Sequence, residues 1–376
     1  MTPVLLLYTC LFGLSQASIS LPSTTGACDV TLHTSELVDS SRIDPFDPKG
    51  GNRSLMITSF TPTNCGSIQS TPYFPNGTAA YEDAQFKAFG LPPGTFSSFQ
   101  LQSRHKSPAT TYTPYPVVLF SPALSTSRLM YTLLLREIAS NGLAIVSVDH
   151  PYDAEIIEYP DGHTVLGKLS NISTEYEIEP VLNVRVEDMT FLLDQLHTHK
   201  TLHQIFPLSK NPHLLSLTNV TIMGHSLGGA TAAQTLLLDN RFAGAINLDG
   251  TLWGSVVKKG LDKPFMLFGH TNKTQATDPS WKALWPRLKG WKIELELAQS
   301  EHYTFSDYPI LLDAVNIADA ARRAFQARIG TIGALRARDA IVEFTVAAVR
   351  YFVNEELGEI LRGPSEAWPD ISFVSS

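Results

Sequence analysis

The sequence predicts an α/β protein whose central sheet is mostly parallel and is flanked by helices. From Pro116 onward, short runs of apolar and β-branched residues alternate with stretches of helical periodicity. Most of these runs are continuously apolar, as expected of parallel strands that are covered on both faces. The 376 residues, 43% of them hydrophobic, can build a sizeable core in one large domain or two smaller ones. Disordered, collagen-like and coiled-coil chains are therefore excluded.

The predicted strands alternate with helices along the second part of the chain. They cover residues 117–120, 144–148, 220–223, 243–248, 265–268 and 293–297. Between the second and the third strand, Met189, Leu192, Leu193 and Leu196 recur at i, i+3, i+4 and i+7, which is one face of a helix. A periodic run over 341–352 predicts a last helix that closes the domain on its sheet. This β-α order predicts a sheet with right-handed crossovers.

The first third of the chain is rich in Pro, Gly, Ser and Thr and differs from the rest. Residues 54–60 are strand-like, and we expect them to form, with 117–120, the first antiparallel strands of a mixed sheet. Residues 79–89 predict a short amphipathic helix that either packs over the sheet edge or forms a wall or lid over a site there. Residues 18–115 are thus an arm with the first strands, in one domain with the core at 116–376.

The N-terminal segment 1–17 predicts a signal peptide. An apolar run over 4–14 is followed by the small residues Ser15 and Ala17, at the spacing that signal peptidase prefers. The run is too short to span a hydrocarbon core, which needs about 20 residues. We therefore expect a secreted, extracellular protein.

The cysteines and the glycosylation sequons agree with export. Of the three cysteines, Cys10 would leave with the signal peptide, so Cys28 and Cys65 are expected to form one disulfide. The sequons predict glycosylation at Asn52, Asn76, Asn171 and Asn272. A fifth sequon, at Asn219, is expected to lie in a buried strand and to stay unmodified.

The segment Gly224-His225-Ser226-Leu227-Gly228 contains the motif G-x-S-x-G between a predicted strand and a predicted helix. In the α/β-hydrolase fold this motif is the nucleophile elbow, a turn so tight that flanking side chains would collide with its neighbours. The sequence therefore predicts this fold, with Ser226 as nucleophile. The alternative is a plain Gly-rich turn between a strand and a helix.

A serine nucleophile needs a histidine base that an acid holds in place, and in this fold both partners follow the serine. Two histidines do so, His270 and His302. His302 follows the 293–297 strand and is expected to be the general base, whereas His270 would line the pocket rim or be a plain loop residue. Asp249, at the end of a strand, is preferred as the acid. Asp278 is the alternative, although its surroundings are more typical of a helix N-cap.

The tetrahedral intermediate needs two backbone N–H donors. One is expected from Leu227, just after the nucleophile. The other should come from the loop after the 117–120 strand, where Pro122 has no N–H and Ala123 or Leu124 remains. Trp253, close in sequence to the preferred acid, is expected to line an acyl pocket with Leu252 and Ala123.

The chain resembles the secreted platelet-activating factor acetylhydrolase family, the group VII phospholipase A2 type of α/β-hydrolase. The resemblance extends over about 54–357 and is densest at three places. These are GHSLGGA at 224–230, where the family has GHSFGGA, the pairs Arg241-Phe242 and Leu248-Asp249, and His302, Phe305 and Asp307 in an H-x-x-F-x-D pattern. It implies Asp249 as the acid and, by position, Leu124 as the second oxyanion donor. Pro122-Ala123-Leu124 replaces the family's His-Gly-Leu, a departure that bears on substrate preference.

The resemblance implies a serine esterase that uses no metal or cofactor and hydrolyses short-chain acyl esters, foremost the sn-2 acetyl group of platelet-activating-factor-like phospholipids. Two alternatives stay open: a general carboxylesterase, lipase or cutinase-like polyester hydrolase, and a catalytically dead binding protein. The net charge of -8 argues against nucleic acid as a partner. The same charge gives little attraction to anionic membrane surfaces, so a dispersed or zwitterionic lipid ester fits better. The expected partner is a small lipid or ester substrate, with weak contact with lipid surfaces at most. The sequence predicts no oligomeric state.

Overall fold

The computed structural model describes residues 17–63, 70–102, 114–169, 172–207, 214–315 and 317–375. The strands are β1 (Ile19–Ser20), β2 (Asp29–Ile43), β3 (Asn52–Thr63), β4 (Ser70–Pro72), β5 (Phe99–Gln102), β6 (Tyr115–Ser121), β7 (Ala144–Asp149), β8 (Ile156–Glu158), β9 (Thr164–Leu166), β10 (Leu215–His225), β11 (Phe242–Leu248), β12 (Phe265–His270), β13 (Lys292–Leu297) and β14 (Ile371–Ser375). The helices are α1 (Asn76–Phe86), α2 (Thr95–Ser98), α3 (Thr132–Ala139), α4 (Glu175–Leu196), α5 (His199–Ile205), α6 (Leu227–Leu238), α7 (Val256–Lys259), α8 (Pro279–Leu284), α9 (Tyr308–Asp313), α10 (Asp319–Ile329) and α11 (Ala334–Asn354). Short 3₁₀ segments lie at Lys87–Phe89, Arg128–Tyr131, Trp285–Arg287, His302–Phe305 and Glu359–Leu361.

Within these ranges the main sheet has nine strands in the order β14-β13-β12-β11-β10-β6-β7-β3-β2. The six strands from β13 to β7 in this order pair in parallel with one another. β2 and β3 at one edge and β14 at the other are antiparallel to their neighbours. A mostly parallel sheet with a strand-turn-helix at the end of β10 is the α/β-hydrolase fold, which confirms the predicted fold class.

One detail of the predicted sheet was wrong. The strand at 117–120, in β6, is not one of the antiparallel strands, because it pairs in parallel with both β7 and β10. β3 instead pairs with β7, and its antiparallel partners are β7 and the long edge strand β2. The arm before residue 115 therefore extends the sheet on the far side of β7.

Apolar residues of the parallel strands pack on both faces of the sheet. Phe120 lies in a buried cluster with residues of α3 and α11, whereas its neighbour Leu119 lies in a second cluster with residues of α4 and α6. Successive side chains of a strand point to opposite faces, so continuously apolar strands supply both clusters at once. This arrangement leaves the carboxyl ends of the strands as the edge at which polar side chains collect.

Several sequence predictions concern the arm and the sequons. Residues 1–16, Cys65 and Asn171 lie outside the described residues. Asn52, Asn76 and Asn272 have exposed side chains. The expectation that Asn219 is buried was wrong: it lies in β10 but is exposed, because this part of the strand precedes its buried second half. No helix in the described ranges is long and apolar enough to span a bilayer.

Candidate active site

Ser226 lies between β10 and α6 in a strained backbone conformation, with φ 55° and ψ -122°. A positive φ is rare for a residue with a side chain and persists only when its surroundings enforce it. The Ser226 N–H donates to the carbonyl of Leu248 at 2.9 Å, which ties the turn to the end of β11. The strand β10 and the helix α6, both predicted from the sequence, thus hold Ser226 at the carboxyl edge of the sheet.

The glycines around Ser226 allow this close packing. A Cβ at Gly228 would lie 1.9 Å from the Ser121 carbonyl oxygen, and one at Gly250 would lie 2.1 Å from the Ser226 carbonyl oxygen. Real Cβ atoms never approach backbone so closely, so both positions exclude any side chain. The motif predicts that position 228 needs a glycine. No sequence pattern predicts the same requirement at Gly250.

Asp249 follows β11 and is 1% exposed. Its Oδ2 accepts a hydrogen bond from Nδ1 of His302. Its Oδ1 accepts from the backbone N–H of His270 at 2.9 Å and from Nδ1 of His270 at 2.6 Å. Burial alone would raise the pKa of Asp249, but the hydrogen bonds from His270 and His302 outweigh it and hold the pKa well below its usual range.

His302 therefore carries its proton on Nδ1, since an ionised Asp249 can only accept. Nε2 is then left without a proton and can act as a base. The His302 side chain is 37% exposed, so the ring is open to a ligand on one side. The pattern matches the orientation that a serine hydrolase requires of its histidine.

His270 is a hydrogen-bond partner of Asp249 that the sequence interpretation missed. It was expected to line the pocket rim or to be a plain loop residue. Burial would lower the pKa of His270, but the hydrogen bond and the charge of Asp249 raise it. The signal was present in the order of strands. β11 and β12 are adjacent and parallel, with Leu248 opposite Phe268, so the residues after them meet at one edge.

Asp278, the alternative acid, is engaged elsewhere. Its Oδ1 caps α8 by accepting from the backbone N–H groups of Ser280 at 2.8 Å and Trp281 at 3.1 Å. Its Oδ2 accepts from Lys273 Nζ at 2.6 Å. These contacts match the N-cap interpretation of the sequence.

The loop after β6 contains Ala123 and Leu124, the two alternatives for the second oxyanion donor. The Ala123 N–H donates to the Tyr131 hydroxyl at 3.1 Å, which favours Leu124 of the two alternatives. Leu227 is the first residue of α6, where N–H groups have no acceptor within their own helix. Arg185 holds the loop by donating to the carbonyl of Pro122 at 2.6 Å.

His225, inside the motif, connects this loop to the histidine. Its Nε2 lies 2.9 Å from the carbonyl oxygen of His302, so Nε2 must be the donor. Its Nδ1 then accepts from the Tyr131 hydroxyl at 2.8 Å. Burial, with the charge of His302, lowers the pKa of His225 to about 3, so the ring stays neutral. A hydrogen-bonded chain thus runs from Ala123 through Tyr131 and His225 to the backbone of His302.

The free energy of unfolding is expected to fall as the pH drops below the ordinary histidine pKa of about 6.5. Above that pH, His225 is neutral in the folded and the unfolded protein. Below it, His225 binds a proton in the unfolded chain, whereas in the folded chain it does so only near pH 3. Between these pH values the free energy of unfolding falls by about 1.4 kcal/mol per pH unit. Denaturant titrations at pH 7, 6 and 5 measure this slope, and His225→Gln should flatten it. An equal slope in the variant would contradict the assignment.

The predicted pocket residues lie near the elbow. Leu252 is buried and Trp253 is half-buried, and both pack in the apolar cluster that contains Leu227 and contacts Leu124. Ala123 is buried as well. A separate cavity of about 300 Å³ lies beside the site, and none of these three lines it. No sequence pattern indicated that cavity.

One side-chain atom each of His225, Asp249 and His302 lie within 4.8 Å of one another, a spacing that three ligands of a metal ion could share. The hydrogen bonds already described use His225 Nε2 and join His302 Nδ1 to Asp249. These hydrogen bonds explain the closeness of the three side chains by the orientation of His302 rather than by metal binding.

Comparisons with known proteins place the chain among ester hydrolases. The family model described as platelet-activating factor acetylhydrolase, isoform II, matches residues 80–167 and 174–348. A probable 1-alkyl-2-acetylglycerophosphocholine esterase of Arthroderma benhamiae is 28% identical over 383 residues, covering 95% of this chain and 94% of that protein. The platelet-activating factor acetylhydrolase of Cavia porcellus is 26% identical over 232 residues, 57% of this chain and 53% of that one. The solved structure of a ferulic acid esterase from Streptomyces cinnamoneus has a TM-score of 0.77 at 27% identity, covering 96% of this chain and all of its own.

Proposed function

The chain belongs to the platelet-activating factor acetylhydrolase isoform II family, and on that basis we propose that it is a secreted serine esterase for short acyl esters. It is an ester hydrolase, as its relatives are. The substrate that we propose is the sn-2 acetyl group of platelet-activating-factor-like phospholipids. The observation that carries the proposal is the hydrogen bond from His302 to the buried Asp249, at the sheet edge where Ser226 is held in its strained turn.

In the proposed mechanism, the Ser226 hydroxyl attacks the ester carbonyl carbon while His302 Nε2 takes the hydroxyl proton. The oxyanion that forms accepts hydrogen bonds from the N–H groups of Leu227 and Leu124. The intermediate collapses, the bond to the leaving alcohol breaks, and protonated His302 gives its proton to that alcohol. Water, activated by His302, then cleaves the acetyl-enzyme to acetate and free Ser226.

Asp249 remains ionised throughout and stabilises the imidazolium form of His302. Its Oδ1 accepts two hydrogen bonds from His270. These bonds keep the carboxylate in place while His302 gains and loses its proton. In this proposal Asp249 and His270 position the base, and Ser226 and His302 alone exchange atoms or protons with the substrate.

A second candidate is the hydrolysis of esters of aromatic acids. It is favoured by the full-length similarity to the ferulic acid esterase structure. Both candidates use the same residues and differ in the acyl group that the site accepts.

A substrate panel tests the proposal. Purified protein with EDTA is assayed on 1-alkyl-2-acetylglycerophosphocholine, a long-chain phosphatidylcholine, p-nitrophenyl acetate, methyl ferulate and a polyester, with Ser226→Ala as blank. We expect hydrolysis of both acetyl esters, little of the long-chain lipid, and fluorophosphonate labelling that Ser226→Ala abolishes. Cleavage of methyl ferulate with no acetyl phospholipid hydrolysed would favour the second candidate. Absence of labelling would favour a binding protein.

A further inference from the structure

The cavity of about 300 Å³ beside the site has an unusual lining. Its walls combine aromatic rings with two acids, namely Phe86, Phe89, Tyr303, Tyr308, Phe325, Glu82 and Glu155. Arg328 is exposed at its mouth. Neither the proposed catalytic steps nor the predicted acyl pocket uses any of these side chains.

The cavity adjoins the residues assigned to the reaction. Tyr303 follows His302, and the two rings lie 5.4 Å apart. From Tyr303 the walls continue through Tyr308, 5.5 Å away, to Phe86 at 6.0 Å from Tyr308. Because His302 would protonate the leaving alcohol, a cavity that starts beside His302 lies on the side of the leaving group rather than of the acyl group.

Phe86 and Phe325 form the far part of the wall. Their rings lie 5.5 Å apart at an interplanar angle of 16°. Phe86 belongs to α1 and Phe325 to α10, so helices from opposite ends of the chain meet at this cavity. The helix α1 thus packs against α10 and also lines this cavity.

Glu82 lies on α1 and is 1% exposed. Its carboxyl oxygens accept no hydrogen bond from another donor in the described part of the chain. Its neighbour is a second acid, Glu155, to which the protonated Glu82 carboxyl donates a hydrogen bond. Burial and the charge of Glu155 raise the pKa of Glu82, and burial also raises the pKa of Glu155. A buried acid and a half-buried acid side by side cannot both ionise without a cation, and a positively charged ligand would let them do so.

We propose that this cavity binds the trimethylammonium group of a phosphocholine headgroup carried by the leaving alcohol, a specificity that rests on the proposed function. Quaternary ammonium groups bind over aromatic faces, because the ring quadrupole attracts a cation that needs no hydrogen bonds. Five of the lining residues are aromatic, so most of the wall consists of ring faces, which suit three methyl groups better than the N–H donors of a primary ammonium. An alkyl chain would leave the acids uncompensated. Exposed Arg328 at the mouth is placed to pair with the phosphate.

Choline and its neutral isostere, 3,3-dimethyl-1-butanol, test the cavity without any turnover. Titration calorimetry should show that choline binds about tenfold more tightly than the isostere. Glu82→Gln keeps the shape of the protonated acid but cannot ionise when a cation enters the cavity, so it should weaken choline binding about tenfold. The matched control, Glu179→Gln at an exposed acid of α4, should bind choline as the unaltered protein does. Equal binding of choline and the isostere would overturn the proposal.

Phe325→Leu provides a second variant should Glu82→Gln fail to fold. It keeps an apolar wall and removes a ring face, so choline binding should weaken while binding of the isostere does not. Equal weakening for both ligands would indicate a general apolar pocket and overturn the proposal. Arg328→Gln should weaken the binding of phosphocholine but not that of choline.

Turnover separates this inference from the proposed function. The ratio of kcat/KM for 1-alkyl-2-acetylglycerophosphocholine to that for the headgroup-free 1-alkyl-2-acetylglycerol should fall about tenfold in Glu82→Gln and stay constant in Glu179→Gln. Choline binding that depends on Glu82, with neither lipid hydrolysed, would support the cavity and refute the proposed substrate. Hydrolysis of both lipids at a ratio that Glu82→Gln leaves unchanged would refute the cavity alone.

Discussion

Asp249→Asn is expected to lower kcat/KM for p-nitrophenyl acetate by about ten-thousandfold while the protein stays folded. An asparagine has one acceptor oxygen where the aspartate has two. His270 and His302 each donate to a separate oxygen of Asp249. If the amide NH₂ faces His302, its ring must accept at Nδ1, which places the proton on Nε2 and removes the base. Loss of the negative charge also leaves the His302 imidazolium without its counter-ion.

Asp278→Asn is the matched control, since it makes the same chemical change at the alternative acid. Its Oδ1 caps α8 and can do so equally as an amide oxygen, so kcat/KM should change by less than about threefold. Steady-state kinetics of both variants, with thermal unfolding as a check on folding, decide the matter. Near-normal activity of Asp249→Asn, or a large loss in Asp278→Asn, would reassign the acid.

Arg185→Met is expected to produce the largest loss of stability, about 3–5 kcal/mol in the free energy of unfolding. The guanidinium is 1% exposed and binds both oxygens of Asp153, at 2.7 Å and 2.6 Å. Without it, the Asp153 carboxylate is left buried and unpaired by a cation. Arg185 also donates to the carbonyl groups of Pro122 and Ala123, so the loop that carries Leu124 loses its support. We expect kcat/KM to fall by about a hundredfold at a temperature where the variant is folded.

Denaturant titrations and kinetics at reduced temperature measure the two effects separately. Arg322→Met is the control, because its ion pair with Asp313 is exposed, and it should cost less than about 1 kcal/mol. Arg185→Lys keeps the charge but not the planar fork and should be intermediate in both measurements. A variant Arg185→Met as stable and as active as the unaltered protein would show that the loop needs no such support.

Sequence patterns predicted the centre of the fold well and its edges poorly. The parallel strands are apolar on both faces, so the runs that end at Met223 and Leu248 were visible. The edge strand β2 alternates polar and apolar residues irregularly and contacts solvent along one side, so only its pairing with β3 defines it. The strand β3 pairs with β7 rather than with β6, which leaves 117–120 among the parallel strands.

The candidate site shows a similar division. Ser226 and His302 could be predicted from the sequence, because Ser226 lies in a motif and His302 follows a predicted strand. The hydrogen bond from His270 to Asp249 could not be predicted, since it depends on the side-by-side placement of β11 and β12. The cavity that contains Glu82 was even harder to predict, because α1 and α10 come together only in the folded chain. Local patterns predict a residue's own element but not which distant side chain it meets.

The close packing at Gly228 and Gly250 also limits how this protein can be altered. Each position faces the backbone of a different segment, Ser121 in one case and Ser226 in the other. A mutagenesis library aimed at new substrates should therefore keep both glycines fixed and diversify only side chains that face open space. Such a library would sample acyl preference while the geometry of the turn stays constant in every member.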